Sequence, residues 1–321
     1  MTGRRPVVVA LGAVDPTLVT EVLGDSIEFV AQPGPEDLAI AEGAIVRADA
    51  VVDAALLARA PRLRVLARTG VGVDLVDLEE ASARGIAVVI TPGAGTRAVA
   101  EGVLAHALHL VKRLAPLTRL VRDGGWAERS RISVGDLDGA AIGIIGYGRI
   151  GRRVGELAAA FGMQVLAHDP ISPPPAEVDC PDLGELVGAS DVLTLHAPLT
   201  AATYHLVDAS LLGRIRPGAI LVNCGRGGLL DLDAALAALE SGRLGGIGLD
   251  VFDPEPPPHH PLFDHPDVVL TPHLMGLTRQ ATAATFAAAA RGITDVLAGR
   301  RPPALANPDW NPAGPATDEE G

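Results

Sequence analysis

Lysine is almost absent. Lys112 is the only one in 321 residues, so nearly every cation is an arginine. Acidic residues outnumber basic ones 39 to 26, and the formal net charge is -13. That deficit of positive charge argues against nucleic acid or an anionic membrane surface as a partner. It leaves room for a small anionic substrate, which needs only a local cationic pocket. Two cysteines, Cys180 and Cys224, are too few for a disulfide framework and suit a reducing cytoplasm. Aromatics make up 3% of the chain, so the cores must be built from Ala, Val, Leu and Ile. No apolar run approaches the ~18 residues that a membrane span needs. The run at 7–11 is too short for a signal segment and reads as a first strand of a soluble protein.

Hydrophobic residues make up 48% of the chain, enough for large cores, and the length implies two domains. Strand-like segments fall at 7–11, 27–31, 43–47, 63–68, 86–90, 142–146, 164–168, 191–195, 219–223, 246–250 and 268–271. Helical patterns between them, such as 52–59, 77–84, 151–161, 207–213 and 231–240, imply βαβ units and parallel sheets. The fold class is therefore α/β, doubly wound. The first five strands form one sheet and the next six another. Residues 98–117 read as one long apolar helix that must be covered on more than one side, by the other domain or a second subunit. A second Ala-rich helix, about 279–298, belongs back on the first sheet. The domains are then 1–95 with 283–321, and 96–282. The proline-rich tail from Pro302 reads as irregular and too short for a further domain.

The most informative stretch is A-I-G-I-I-G-Y-G-R-I-G at 141–151. An apolar run leads into Gly146, Tyr147, Gly148, Arg149, Ile150 and Gly151, and a helical pattern follows. A second apolar run ends at Asp169. Strand, glycine turn, helix, strand and acid is the order that a dinucleotide needs. The helix N-terminus offers free N–H groups and positive potential to a pyrophosphate. Asp169 is placed to accept hydrogen bonds from a ribose diol. It would repel a 2′-phosphate, so NAD(H) is expected over NADP(H). The alternative is a tight βα turn with no ligand.

Three further segments end strands on the same sheet edge. Arg226 follows 219–223 and suits a carboxylate, because its guanidinium fork can bind one twice over. Glu255 lies on a proline-stiffened loop after 246–250, and His273 follows 268–271. Each alone has a plainer reading: a solvated strand-end Arg, an exposed turn acid, a loop histidine satisfied by backbone. His259, His260, His265 and His273 lie close together, but Pro261, Pro266 and Pro272 interrupt them. No helical pair or cysteine joins them, so no metal site is expected.

Together these residues make the chain resemble the D-isomer-specific 2-hydroxyacid dehydrogenases over about 43–298. The resemblance is carried by R-T-G-V-G-V-D at 68–74, A-V-A-E at 98–101, the glycine turn and L-H-A-P-L-T at 195–200. It continues in V-N-C-G-R-G at 222–227, L-D-V-F-D-P-E-P at 249–256 and T-P-H at 271–273. It implies two Rossmann-like domains with the cleft between them, the outer, flavodoxin-like one binding substrate and built from both chain ends. It implies NAD as cofactor and Arg226, Glu255 and His273 as the catalytic set. His273 would exchange the C2 hydroxyl proton, Glu255 would hold its other ring nitrogen, and Arg226 would bind the substrate carboxylate. Val71 and Gly72 would add backbone N–H groups to that carboxylate. Asp250 would contact the nicotinamide amide, Arg149 and Ile150 would lie against the pyrophosphate, Pro198 and Thr203 would line the adenine side, and Gly276 would also be cofactor-binding. A homodimer in the cytoplasm is implied too, since in this family the 98–117 region packs between nucleotide domains.

The chain departs from the family at Gly95, Gly102 and Met275, which puts substrate identity in doubt more than reaction type. Arg47, in Val46-Arg47-Ala48, resembles the Val-Arg-Ser segment of phosphoglycerate members, whose Arg holds the far anionic end of the substrate. A small acid with a polar or anionic tail is therefore expected, such as 3-phosphoglycerate or hydroxypyruvate or glyoxylate. A non-enzymatic NAD(H)-sensing scaffold on the same fold is the alternative.

Overall fold

The computed structural model describes residues 4–47 and 49–311. They fall into two compact units, the described residues of 4–95 with 279–311, and Thr96–Thr278. The first holds strands β1 (Val7–Leu11), β2 (Glu28–Val30), β3 (Gly43–Val46), β4 (Val65–Arg68) and β5 (Ala87–Val89). They form one parallel sheet in the order β2-β1-β3-β4-β5. Helices α1 (Thr20–Leu23), α2 (Pro35–Ile40), α3 (Ala54–Arg59) and α4 (Leu78–Ala83) connect the strands. Both sheet faces are covered, which is why the strands read as unbroken apolar runs. Successive residues alternate between two cores: Val7, Val9 and Leu11 join one, Val8 and Ala10 the other.

The second unit opens with α5 (Thr96–Val111) and α6 (Leu114–Arg122). Strands β6 (Ala141–Ile145), β7 (Gln164–His168), β8 (Val192–Leu195), β9 (Ala219–Asn223), β10 (Leu244–Leu249) and β11 (Val268–Leu270) follow. Between them lie α7 (Arg149–Ala160), α8 (Leu183–Ala189), α9 (Ala209–Leu212) and α10 (Leu232–Glu240). The sheet is wholly parallel in the order β11-β10-β9-β8-β6-β7. Every strand therefore ends on one edge. The chain leaves β6 toward β7 on one side and then returns to β8 on the other. That reversal is the switch point where open α/β sheets bind ligands.

The long helix expected at 98–117 is two helices. α5 stops at Val111, Arg113 adopts φ 52, and α6 starts at Leu114. Pro116 lacks an N–H, and its ring would collide with the Lys112 carbonyl in a continuous helix. The coverage also differs. Eight of the 16 residues of α5 are buried, against α7, β9 and β10 of its own unit. No residue of α6 is buried.

The final helix α11 (Arg279–Leu297) packs Phe286, Ala289, Ala290, Ile293 and Val296 onto the first sheet. The described part of the tail is irregular but fastened. Asn307 accepts from Val88 N (2.9 Å) and donates to Ile86 O (2.9 Å), and Trp310 Nε1 donates to Gly85 O (2.9 Å). Three backbone partners on β5 and its approach thus hold a segment that has no periodicity. The tail from 312, like Ala48, lies outside the described residues.

Candidate active site

The site is assembled on the carboxyl edge of the six-stranded sheet. At the end of β6, Gly146 takes φ +92, a conformation that favours glycine, and a Cβ there would overlap the backbone of His196 and Ala197. A Cβ on Gly151 would overlap the Gly146 carbonyl. Gly148, by contrast, faces open space at the N-cap of α7, and no side chain caps that helix. The free N–H groups of its first turn are therefore available to an anion.

Asp169 follows β7. Its carboxylate accepts hydrogen bonds from Tyr147 N (2.8 Å), Ile171 N (2.9 Å) and Ser172 N (2.8 Å). Burial alone would raise its pKa, but the three backbone donors, with His168 nearby, outweigh it and hold the carboxyl below the usual range. A carboxylate offers about four acceptor sites, so capacity remains for a diol. Glycine cradle, uncapped helix and fixed acid fit a dinucleotide. On the neighbouring loop, Thr203 Oγ1 donates to Pro198 O (2.7 Å) and accepts from Thr200 N (2.8 Å), which closes the 198–203 turn.

Arg226 lies just beyond β9, half-buried. Asn223, almost fully buried, clamps its turn from both sides, donating to Arg226 O (2.9 Å) and accepting from Gly225 N (3.0 Å). Arg226 itself donates to Gly225 O (2.9 Å), and no carboxylate among the described residues pairs with it. After β10, Glu255 Oε1 accepts from Phe252 N (2.9 Å), while Oε2 lies 2.8 Å from Nδ1 of His273. Glu255 thus fixes the His273 ring and leaves Nε2 as the nitrogen for chemistry. His273 sits at φ 54, left-handed for a non-glycine residue.

Asp250 ends β10 and is bonded within its own unit. It is 2% exposed, and its carboxylate is turned inward. It accepts from Thr271 Oγ1 (2.6 Å), Leu274 N (3.0 Å) and Met275 N (3.1 Å), so it anchors the loop that carries His273. Met275 occupies the space that a Cβ on Gly102 would need, with its own Cβ 2.6 Å away. Gly276 lies half-buried beside Val99. Cys224 is buried, and burial together with Asp250 pushes its thiol up, which suits a filler rather than a nucleophile. No group of three or more metal-ligating side chains converges among the described residues.

Residues 104–275 match the family model for the D-isomer specific 2-hydroxyacid dehydrogenase NAD binding domain. The chain belongs to that family. It is 36% identical over 312 residues to D-3-phosphoglycerate dehydrogenase of Mycobacterium tuberculosis, covering 94% of this chain and 59% of that protein. It is 37% identical over 269 residues to glyoxylate reductase of Thermococcus litoralis, covering 80% of this chain and 81% of that one. The structure of D-lactate dehydrogenase from Aquifex aeolicus with NAD and lactic acid superposes with a TM-score of 0.80 at 29% identity. That match covers 91% of this chain and 96% of the other. The chain spans about half to three fifths of the length of the phosphoglycerate dehydrogenases it matches. As a member of this family it binds NAD.

Three of the residues named from sequence lie in the first unit. Arg47 follows β3, with its guanidinium 5.5 Å from the Phe286 ring centroid. Val71 is exposed and Gly72 half-buried, in the loop after β4. Arg68 was quoted only as part of a motif, yet it ties these loops together. It is buried, donates to Gly72 O (2.8 Å) and also reaches the Arg47 carbonyl. Asn223 and Arg68 escaped the sequence because their partners are backbone groups, and the inward turn of Asp250 because most of its partners are, and backbone groups leave no signature in residue types.

Proposed function

We propose that this family member is an NAD-dependent oxidoreductase acting at C2 of a small D-2-hydroxy acid or 2-keto acid. The observation that carries the reading is the 2.8 Å contact of Glu255 with His273, on the sheet edge that also bears Arg226. NAD(H), when bound, accepts or supplies the hydride. His273 takes the hydroxyl proton at Nε2 in oxidation and returns it to the ketone oxygen in reduction. Glu255, bonded to Nδ1, keeps the ring oriented and the tautomer fixed, so Nε2 is bare before it receives the proton. Arg226, with no carboxylate partner of its own, binds the substrate carboxylate and polarises the adjacent carbonyl.

The substrates we infer are glyoxylate, hydroxypyruvate or 3-phosphoglycerate. Relatives named glyoxylate reductase and D-3-phosphoglycerate dehydrogenase support this range. The first unit is read as the substrate-binding domain, with Arg47, Val71 and Gly72 as its contacts. We also infer a homodimer that works in the cytoplasm, where its two free cysteines stay reduced. NADH oxidation with glyoxylate, hydroxypyruvate, 3-phosphohydroxypyruvate and a branched-chain 2-ketoacid tests the reading. Turnover of the small or anionic acids is expected. An NADH-binding protein that oxidises it with none of them would instead be a sensor or scaffold.

A further inference from the structure

His106 belongs to no motif and to no catalytic set, yet it is one of the few polar side chains in the core. It lies in the middle of α5 and is 3% exposed. Its Nε2 stands 3.2 Å from Thr271 Oγ1. Nδ1 is buried and has no hydrogen-bond partner. That nitrogen packs on the backbone of β10, only 2.5 Å from where a Cβ on Gly248 would stand. An aliphatic residue would fill this space without leaving a polar atom unsatisfied, so the imidazole must be kept for the one bond that it makes.

Proton counting fixes the direction of that bond. An ionised carboxylate only accepts, so the Thr271 hydroxyl, 2.6 Å from Asp250 Oδ1, must donate to it. The Thr271 oxygen is then free only to accept, and His106 must be the donor through Nε2–H. The bare Nδ1 is the consequence. His106 is held neutral for this: burial pushes its pKa down, against the pull of Asp250, while His109 on the same helix adds to the push. From Asp250 the chain continues to the N–H groups of Leu274 and Met275. On the other flank, His273 N–H donates to the Thr271 carbonyl (3.0 Å). His273 is thus bracketed by residues that the relay holds. Its left-handed backbone persists only if its surroundings over-determine it.

We propose that His106 is a positioning residue for His273, acting from α5 through Thr271 and Asp250 to hold the 271–275 loop in its proton-transfer geometry. The proposal rests on the reading above that His273 moves the proton.

The test compares His106→Leu, His106→Gln, Thr271→Val and Thr271→Ser, with His273→Ala as the reference. It measures NADH oxidation with glyoxylate, NADH affinity by fluorescence, and hydrogen exchange at the Leu274 and Met275 amides. A misplacement of the reacting groups by about 1 Å can cost ~100-fold. His106→Leu should therefore lower kcat by about tenfold or more, with NADH affinity little moved, and speed exchange at the two amides. His106→Gln, whose side-chain N–H can replace Nε2–H, should recover most of both. Thr271→Val should reproduce the leucine variant and Thr271→Ser should not. The double variant His106→Leu with Thr271→Val should be no worse than the worse single one, because both cut the same relay.

Wild-type kcat and exchange in His106→Leu would overturn the proposal. So would a glutamine variant as impaired as the leucine one, since packing would then explain the loss. If His106→Leu fails to fold, the glutamine variant and the two Thr271 variants decide alone. Full activity in His273→Ala would sink the proposed function instead, while the exchange data would still report on the relay.

Discussion

Gly102 and Met275 are far apart in sequence. In the structure they are one feature, a notch in α5 and the side chain that fills it. Gly102→Ala would bring its new Cβ to 2.6 Å from the Met275 Cβ, which is no flexible chain end. Overpacking of this kind costs ~1–3 kcal/mol, so the variant should melt lower and lose activity as the 271–275 loop shifts. Trimming Met275→Ala in the same protein removes the clashes with its Cγ and Sδ but not the one with its Cβ, so recovery should be partial. A Gly102→Ala protein with wild-type melting and kcat would show that the loop moves at no cost. Asp169 makes a second prediction. Its three backbone donors leave a fixed negative charge at the end of β7. NAD(H) should be preferred over NADP(H) in kcat/KM, and Asp169→Ala should narrow the preference. Equal use of both cofactors by the parent protein would contradict it.

His196 supplies a pH prediction. The residue is half-buried, with Nε2 2.9 Å from Thr194 Oγ1 and a buried Nδ1 that has no partner among the described residues, and burial pushes its pKa from 6.5 down to about 4. The folded form is thus less basic than the unfolded one. The unfolded chain takes up a proton below about 6.5, and the native protein does not until about 4. Stability is therefore complete above 6.5 and falls with pH across that window, by ~1.4 kcal/mol per pH unit from this site. Urea unfolding at pH 7 and pH 5 should show the loss, and His196→Gln should flatten the difference. An unchanged difference would assign the acid sensitivity to other groups.

At the scale of elements, much of the acidic surplus has structural work. Asp53, Asp77, Asp182, Asp208 and Asp231 are the N-caps of α3, α4, α8, α9 and α10, each accepting from a backbone N–H three residues on. An N-cap Asp→Ala change costs ~0.5–2 kcal/mol. Asp182→Ala should therefore lower Tm by a few degrees without altering cofactor preference, as read by thermal melting. No shift in Tm would mean that α8 holds without its cap. The strands were legible because each is an apolar run between turn residues. The break between α5 and α6 was missed because apolar periodicity continues through Lys112 and Arg113 while Pro116 forbids the helix. His106 was equally invisible: a histidine on an apolar face looks the same whether its Nε2 meets Thr271 or nothing.

At the scale of the molecule, that break puts the exposed apolar surface on α6 and the segment after it. α5 is covered largely by its own unit, whereas α6 buries nothing, and Val121 and Trp126 are 60% and 63% exposed. Large apolar residues clustered on a surface mark interaction sites. We expect light scattering at micromolar concentration to give twice the monomer mass, and Val121→Glu with Trp126→Glu to halve it. A monomer in the parent protein would rule the dimer out.

Taken alone, the sequence determined the α/β class, the two parallel sheets, the glycine turn between β6 and α7, and the placing of Arg226, Glu255 and His273 after strands that end on one sheet edge. These follow from short-range patterning and from residue types whose chemistry is specific. Only the tertiary structure decided that Glu255 meets His273 at Nδ1, that Asp250 turns inward, and that Gly102 receives Met275. It alone joined His106 to the loop that carries His273. Such relations depend on where β10, β11 and α5 bring distant residues, and on backbone N–H groups that every residue carries alike.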